Sequence, residues 1–184
     1  TPITKVYDGT TALVGALPAL TITSPVSGDV LTVSGTPTGN FTSADASTSA
    51  SILLSGLTVS AVAGTRPVFG YSLGASTLAA TITPKPLTVS LTGAVSRAYD
   101  GTTAVSLSQS NFNVTGLVAN QSLLLNSATG TLASKDVGSG LNVTTQISQV
   151  SFQPGSGTLL SNYIIPTTAS GAIGEITPKA LTVT

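Results

Sequence analysis

Residues Lys5 to Leu13 read KVYDGTTAL, and residues Arg97 to Val105 read RAYDGTTAV. Six of the nine positions are identical in one unbroken run, at an offset of 92 (position 97 against position 5). A second pair follows in the same order. Thr81 to Val89 reads TITPKPLTV and Glu175 to Val183 reads EITPKALTV, with seven of nine positions identical. Weaker landmarks lie between them: Gly39 pairs with Gly130, Asp45 with Asp136 and Tyr71 with Tyr163. Self-similarity at a fixed period is the mark of a repeat architecture. The 184 residues therefore divide into two copies of a domain-sized unit. The expected boundaries are 1–84 for the first and 85–178 for the second. Residues 179–184 repeat the opening of the second copy and are expected to begin a third, whereas the first copy lacks that lead-in strand.

The junctions carry their own physical message. Pro84-Lys85-Pro86 sets two prolines around one lysine, and Pro178-Lys179 repeats the first half of it. Proline fixes φ, removes a backbone donor and pushes the preceding residue toward extended geometry. Such a segment is neither helix nor inner strand, and it is too short and stiff for a Gly/Ser tether. The last strand of one unit should pass almost directly into the first strand of the next, giving a semi-rigid rod.

Short β-branched runs bounded by turn residues read as strands. In the second copy they fall near 86–92, 95–99, 102–107, 111–114, 121–125, 128–133, 141–152, 162–165 and 172–177, with a bulge expected within 141–147 and a tight turn at 137–140. The best helix candidate is Ser43 to Leu54, although its counterpart contains two glycines. The expected fold class is all-β: two tandem small immunoglobulin-like β-sandwiches joined end to end. A β-grasp-like unit with one short helix is the alternative.

Composition removes many functions. The chain has no His and no Cys, which excludes imidazole proton shuttles, Cys-His nucleophiles, ordinary zinc sites and disulfides. Six cations balance six acids, so phosphate neutralisation and a polybasic membrane patch are both disfavoured. No apolar run approaches the roughly 20 residues of a membrane span. Serines are abundant, but S-x-x-K does not occur, and the stretch Gly70-Tyr71-Ser72-Leu73-Gly74 has no His anywhere in the chain to activate its serine. Calcium takes 6–8 oxygens from several carboxylates, and a glycosidase needs two acids across one cleft. Three acids per copy suit neither. No cofactor and no enzymatic activity are expected. Four Asn-x-Ser/Thr sequons, at Asn40, Asn113, Asn120 and Asn142, are barely above chance in a chain where 56 of 184 residues are Ser or Thr.

The residues singled out are Tyr7, Asp8, Gly9 and Thr10 with their copies Tyr99, Asp100, Gly101 and Thr102, and the junction residues Pro84, Lys85, Pro178 and Lys179. Asp before Gly marks a turn in which the carboxylate accepts a nearby backbone N–H while Gly takes positive φ. The tyrosine ring can pack on the domain edge. The role expected for all of them is structural.

The Y-D-G-T-T-A block near each start, the N-Y pair at Asn162-Tyr163 and the closing I-T-P-K-(P/A)-L-T-V together resemble the YDG-type tandem repeats of large bacterial filamentous-haemagglutinin-like surface adhesins. The resemblance covers essentially the whole chain; at the later landmark the first copy has Phe69-Gly70-Tyr71 instead. It implies stalk or spacer repeats outside a bacterial cell, at its surface, that present a distal binding region. It supplies no catalytic residues. The alternative is a weak multivalent module binding host or matrix glycan or protein, or associating with its own kind in a biofilm. The expected partners are the neighbouring repeats, with no nucleic acid.

Overall fold

The computed structural model describes residues 3–18, 26–63, 65–74 and 76–183. The chain divides into two units, Thr1–Pro84 and Lys85–Thr184. Among the described residues the first contains β1 (Ile3–Val6), β2 (Asp29–Ser34), β3 (Thr38–Phe41), β4 (Ser47–Ser55), β5 (Thr58–Ala63), β6 (Arg66–Val68) and β7 (Thr77–Thr83). The second holds β8 (Lys85–Pro86), β9 (Thr88–Leu91), β10 (Val95–Ala98), β11 (Ala104–Leu107), β12 (Phe112–Thr115), β13 (Leu123–Leu125), β14 (Ala128–Leu132), β15 (Gly138–Gln146), β16 (Phe152–Pro154), β17 (Tyr163–Ile164) and β18 (Thr168–Thr177).

The fold is all-β, as expected. Among the described residues the only helical elements are three single 3-10 turns, at Gln109–Asn111, Gln149–Ser151 and Leu160–Asn162. The helix expected over Ser43 to Leu54 is instead mostly β4, an inner strand paired on both sides by β3 and β7. Ala and Ser are compatible with either state, and burial of Ile52 decides the outcome. The long strand expected over 141–152 ends at Gln146, where a 3-10 turn intervenes before β16. The turn expected at 137–140 is also displaced, because Gly138 already pairs with Ile176 in β15. The expected bulge is present, with register shifts on either side of Leu141. Gly140 sits beside it with φ +65°.

Both units are built on the same sheet. In the first the order is β1-β7-β4-β3; in the second it is β10-β18-β15-β14-β11. Within each, the opening strand runs parallel to the closing one. Ile3, Lys5 and Val6 face Ala80, Ile82 and Thr83. Val95, Arg97 and Ala98 face Gly174, Ile176 and Thr177. The remaining pairs in these sheets are antiparallel. A second sheet, β2-β5-β6, completes the first unit. In the second unit the pairs β9/β12, β13/β16 and β8/β17 complete the framework.

Each core is a small set of aliphatic and aromatic side chains. Tyr7, Phe41, Ile52 and Ile82 fill the first; Leu107, Leu125, Leu132, Val143 and Ile176 fill the second. The landmark glycines make room for them. A Cβ on Gly39 would lie 2.7 Å from Ile52 Cγ2, and one on Gly130 would lie 2.6 Å from Val143 Cγ1. The abundant hydroxyls also have a use. Thr38 and Ser55, and Ser34 and Thr58, are directly opposite across strands, and their hydroxyls are 2.9 and 3.0 Å apart. Such pairs fix register on a solvated face without charge.

Candidate functional site: a cation-clamped turn on a parallel strand pair

The two strongest sequence blocks meet in space. Each YDG turn leaves the strand that pairs with its I-T-P block. The Tyr7 N–H donates to Thr83 O at 2.8 Å, and the Tyr99 N–H to Thr177 O at 2.9 Å. The threonine hydroxyls answer across the pair, Thr83 Oγ1 to Lys5 O and Thr177 Oγ1 to Arg97 O, both at 3.3 Å.

The turn itself is held by one carboxylate oxygen. Asp8 Oδ1 accepts the Thr10 N–H at 2.9 Å and the Thr10 hydroxyl at 3.0 Å. Asp100 Oδ1 accepts the same two groups of Thr102, each at 2.8 Å. Gly9 and Gly101 lie between with φ of +77° and +80°, where a side chain would be strained. This is the Asp-Gly geometry expected from the sequence.

The cation was not anticipated. Lys5 Nζ lies 2.7 Å from Asp8 Oδ1, donates to Thr10 O at 2.6 Å and to Ala12 O at 3.3 Å, and sits 5.0 Å from the Phe41 ring centroid. Its side chain is only 2% exposed. Arg97 takes the same place in the second unit. It pairs with Asp100 through Nη1, donates to Thr102 O through Nη2, and reaches Thr102 Oγ1 at 3.0 Å. The signal was in the quoted blocks: both begin with a cation three residues before Asp, in a chain with six cations. A buried ammonium must be paired and hydrogen-bonded to be tolerated, and here it is.

The electrostatics follow. At Asp8, burial pushes the carboxyl pKa up, but the Lys5 ammonium and the Thr10 N–H and hydroxyl outweigh that and hold it below its ordinary value. At Asp100 the Thr102 N–H, the Thr102 hydroxyl and then Arg97 hold it at about 2. These acids accept hydrogen bonds and remain ionised, which is the wrong state for a general acid.

The other landmarks are also joints. The Asp45 N–H donates to Ser43 Oγ at 3.1 Å, and the Asp136 N–H to Ser134 Oγ at 3.0 Å, a hydroxyl-capped turn ahead of β4 and β15. Tyr71 OH donates to Asp29 Oδ2 at 2.7 Å, whereas Tyr163 OH bonds Gln121 Oε1 and accepts the Val118 N–H at 3.1 Å. Gln121 is thus the counterpart of Asp29, and the neighbouring Asn120 is a turn residue with φ +66°. Tyr7 and Tyr99 differ, being 4% and 38% exposed. Pro84 separates β7 from β8, Lys85 pairs with Tyr163, and Pro178 and Lys179 lie exposed beyond β18.

Among the described residues no three acidic side chains gather into a metal-binding group, and no helix is long and apolar enough to cross a membrane. An open groove of about 850 Å³ lies in the second unit, between the edge strands β10 and β11, with Arg97 and Asp100 in its lining.

A protein-family profile described as the YDG domain matches residues 1–76 and again residues 83–170. Neither the curated proteins nor the solved structures compared with the chain give a match. Each matched segment contains one copy of the cation-clamped turn, and together the two span most of the sequence: the chain belongs to the YDG domain family.

Proposed function

We propose that these units are non-catalytic stalk repeats of a secreted bacterial adhesin, displayed outside the cell, that extend and present a distal binding region. The observation that carries this reading is the parallel pairing of the opening and closing strands, β1 with β7 and β10 with β18, each locked at the YDG turn. A spacer must survive tension applied through its ends. Pulling β1 toward the N-terminus and β7 toward the C-terminus slides two parallel strands past one another. Every hydrogen bond of the ladder then resists at once, instead of opening singly as in an unzipped hairpin. The motif residues are occupied by turns and strand joints in both units, which supports a repeated mechanical role.

Small-angle scattering of the dilute chain tests the spacer reading. An elongated particle with a narrow distribution of maximum dimension is expected; a compact or freely hinged pair refutes it.

The β10–β11 groove favours a second reading, a weak glycan or protein site multiplied by repetition. A glycan array, followed by titration against labelled chain, would show binding lost on Arg97→Ala under this reading and no binding under the first.

A further inference from the structure

Strands β10 and β11 follow one another across the YDG turn, yet they do not pair. β10 pairs with β18 and β11 with β14, at opposite edges of one five-stranded sheet, and among the described residues neither has a strand on its other side. The two free edges line the same groove of about 850 Å³. Traced through the sheet, β10 runs with β18, against β15, with β14 and against β11. A strand laid between the two edges would be parallel to one and antiparallel to the other, and both ladders are ones a polypeptide makes.

The main chain is turned the right way for this. The Tyr99 N–H goes to Thr177 O and Arg97 O accepts the Thr177 hydroxyl, so the alternate residues Ser96 and Ala98 direct their N–H and C=O groups away from β18. The Leu132 N–H goes to Thr103 O, so Ala104 and Ser106 direct theirs away from β14. All four residues are exposed. The run stops at Ser108, whose N–H donates to Asn111 Oδ1 at 2.9 Å and whose carbonyl accepts the Asn111 N–H at 3.0 Å. Proteins guard such edges with proline, a bulge or a charge. Neither strand has a proline, and Arg97, the one charged residue on either, is held by Asp100 and Thr102.

We propose that this groove takes an extended, uncharged polypeptide segment of a partner protein as an added strand; the inference rests on the second reading above, that the groove is a binding site. Each edge is four residues long, about 13 Å at the rise of a strand, so the segment in contact is short. Val95, Val105 and Leu107 line the groove beside Ser106, Ser127 and Thr129, which suits aliphatic and hydroxyl side chains in alternation. A charged side chain would shed its water without finding a counter-charge, because Arg97 and Asp100, the charged residues of the lining, already neutralise each other. No aromatic ring is among the lining residues, so a sugar finds no stacking surface there. Main-chain hydrogen bonds supply the affinity and the alternate side chains the preference.

The test uses the whole 184-residue chain, isotope-labelled and dilute. A capped peptide of alternating valine and threonine, titrated to about 5 mM, the range suited to a short strand, should give saturable shifts of the Ser96, Ala98, Ala104 and Ser106 amide signals. The same peptide with alternate amides N-methylated, or with glutamate in place of threonine, should bind about tenfold or more weakly. Ser106→Pro removes a donor that β14 does not use; it should weaken binding to a similar degree while the Val143 and Ile176 amides keep their positions. If that variant fails to fold, the N-methylated peptide on the native chain carries the test. No saturable shift at the four residues, binding that survives N-methylation or Ser106→Pro, or equal binding of the glutamate peptide would each overturn the proposal. Shifts of the same amides by a neutral oligosaccharide such as maltohexaose, with none from the peptide, would overturn the strand and keep the groove as a site. Shifts from neither would remove the second reading as well.

Discussion

Replacing Lys5 by Met should destabilise the first unit by about 1–2 kcal/mol. Two effects compete. The ammonium is nearly fully buried, and removing a buried charge recovers its desolvation cost; buried ion pairs exchanged for well-packed apolar groups are often neutral. Against this, the variant loses charge-assisted hydrogen bonds to Asp8 Oδ1 at 2.7 Å and Thr10 O at 2.6 Å and the contact with the Phe41 ring. Hydrogen bonds to charged groups contribute about 1.5–3 kcal/mol each when buried. Asp8, Thr10 and Ala12 are partly or fully exposed, so water replaces much of what they lose. The balance favours the native lysine, by less than the sum of its bonds. In a unit of this size, each kcal/mol moves the midpoint by roughly 4–8 °C. Thermal unfolding followed by NMR, with the Tyr7 and Tyr99 amides as separate reporters, should show the first unit melting about 5–15 °C lower and the second unchanged. Lys5→Arg should retain most of the stability, because Arg97 occupies that register in the second unit. A Met variant within about 0.5 kcal/mol of the wild type, a difference too small for a lost charge-assisted bond, would refute the clamp as a source of stability.

Three further outcomes follow from the same geometry. Both clamp aspartates have lowered pKa values in the folded chain, so their stabilising contribution is complete above the unfolded value of about 4 and is lost as pH falls through the folded one, about 2 for Asp100. Acid titration by NMR should therefore find both carboxyl midpoints below that of a free aspartate, with unfolding promoted between about pH 4 and pH 2; a midpoint at the ordinary value for Asp100 would contradict its three donors. Gly101→Ala meets open space at φ +80°, so the cost is conformational alone, about 1–2 kcal/mol by urea denaturation; a neutral result would mean the turn relaxes. Gly130→Ala places a methyl 2.6 Å from Val143 and 3.1 Å from Leu107, and overpacking of about 1–3 kcal/mol is expected in the same assay, whereas a stabilised variant would show that the core holds spare room.

The repeat, the turn at Asp-Gly and the all-β class were legible because each depends on residues close in sequence. The meeting of the YDG and I-T-P blocks was not. Lys5 and Ile82 are opposite one another only because the closing strand returns parallel beside the opening one, and no local pattern encodes that pairing. The clamp cation was missed for a related reason. A lysine on a strand reads as a solvated face, and its burial becomes apparent only when Phe41 from β3 lies alongside. The Ser43 to Leu54 segment was misread because its Ala and Ser residues suit helix and strand alike; the partners β3 and β7 settle its state. The landmark pairs Asp45/Asp136 and Gly39/Gly130 were visible as coincidences, and their causes, a hydroxyl-capped turn and a crowded core, needed coordinates.

The direct test of the tension-resisting account is to pull the first unit in two directions. The chain has no cysteine, so single-cysteine handles can be placed freely. Handles at Ile3 and Thr83 load β1 and β7 in shear, because the register puts Ile3 against Ala80 and Val6 against Thr83. Handles at Val6 and Thr83 open the same ladder from one end. The account predicts a severalfold higher unfolding force in the first geometry, reduced by Lys5→Met. Equal forces in the two geometries would contradict it.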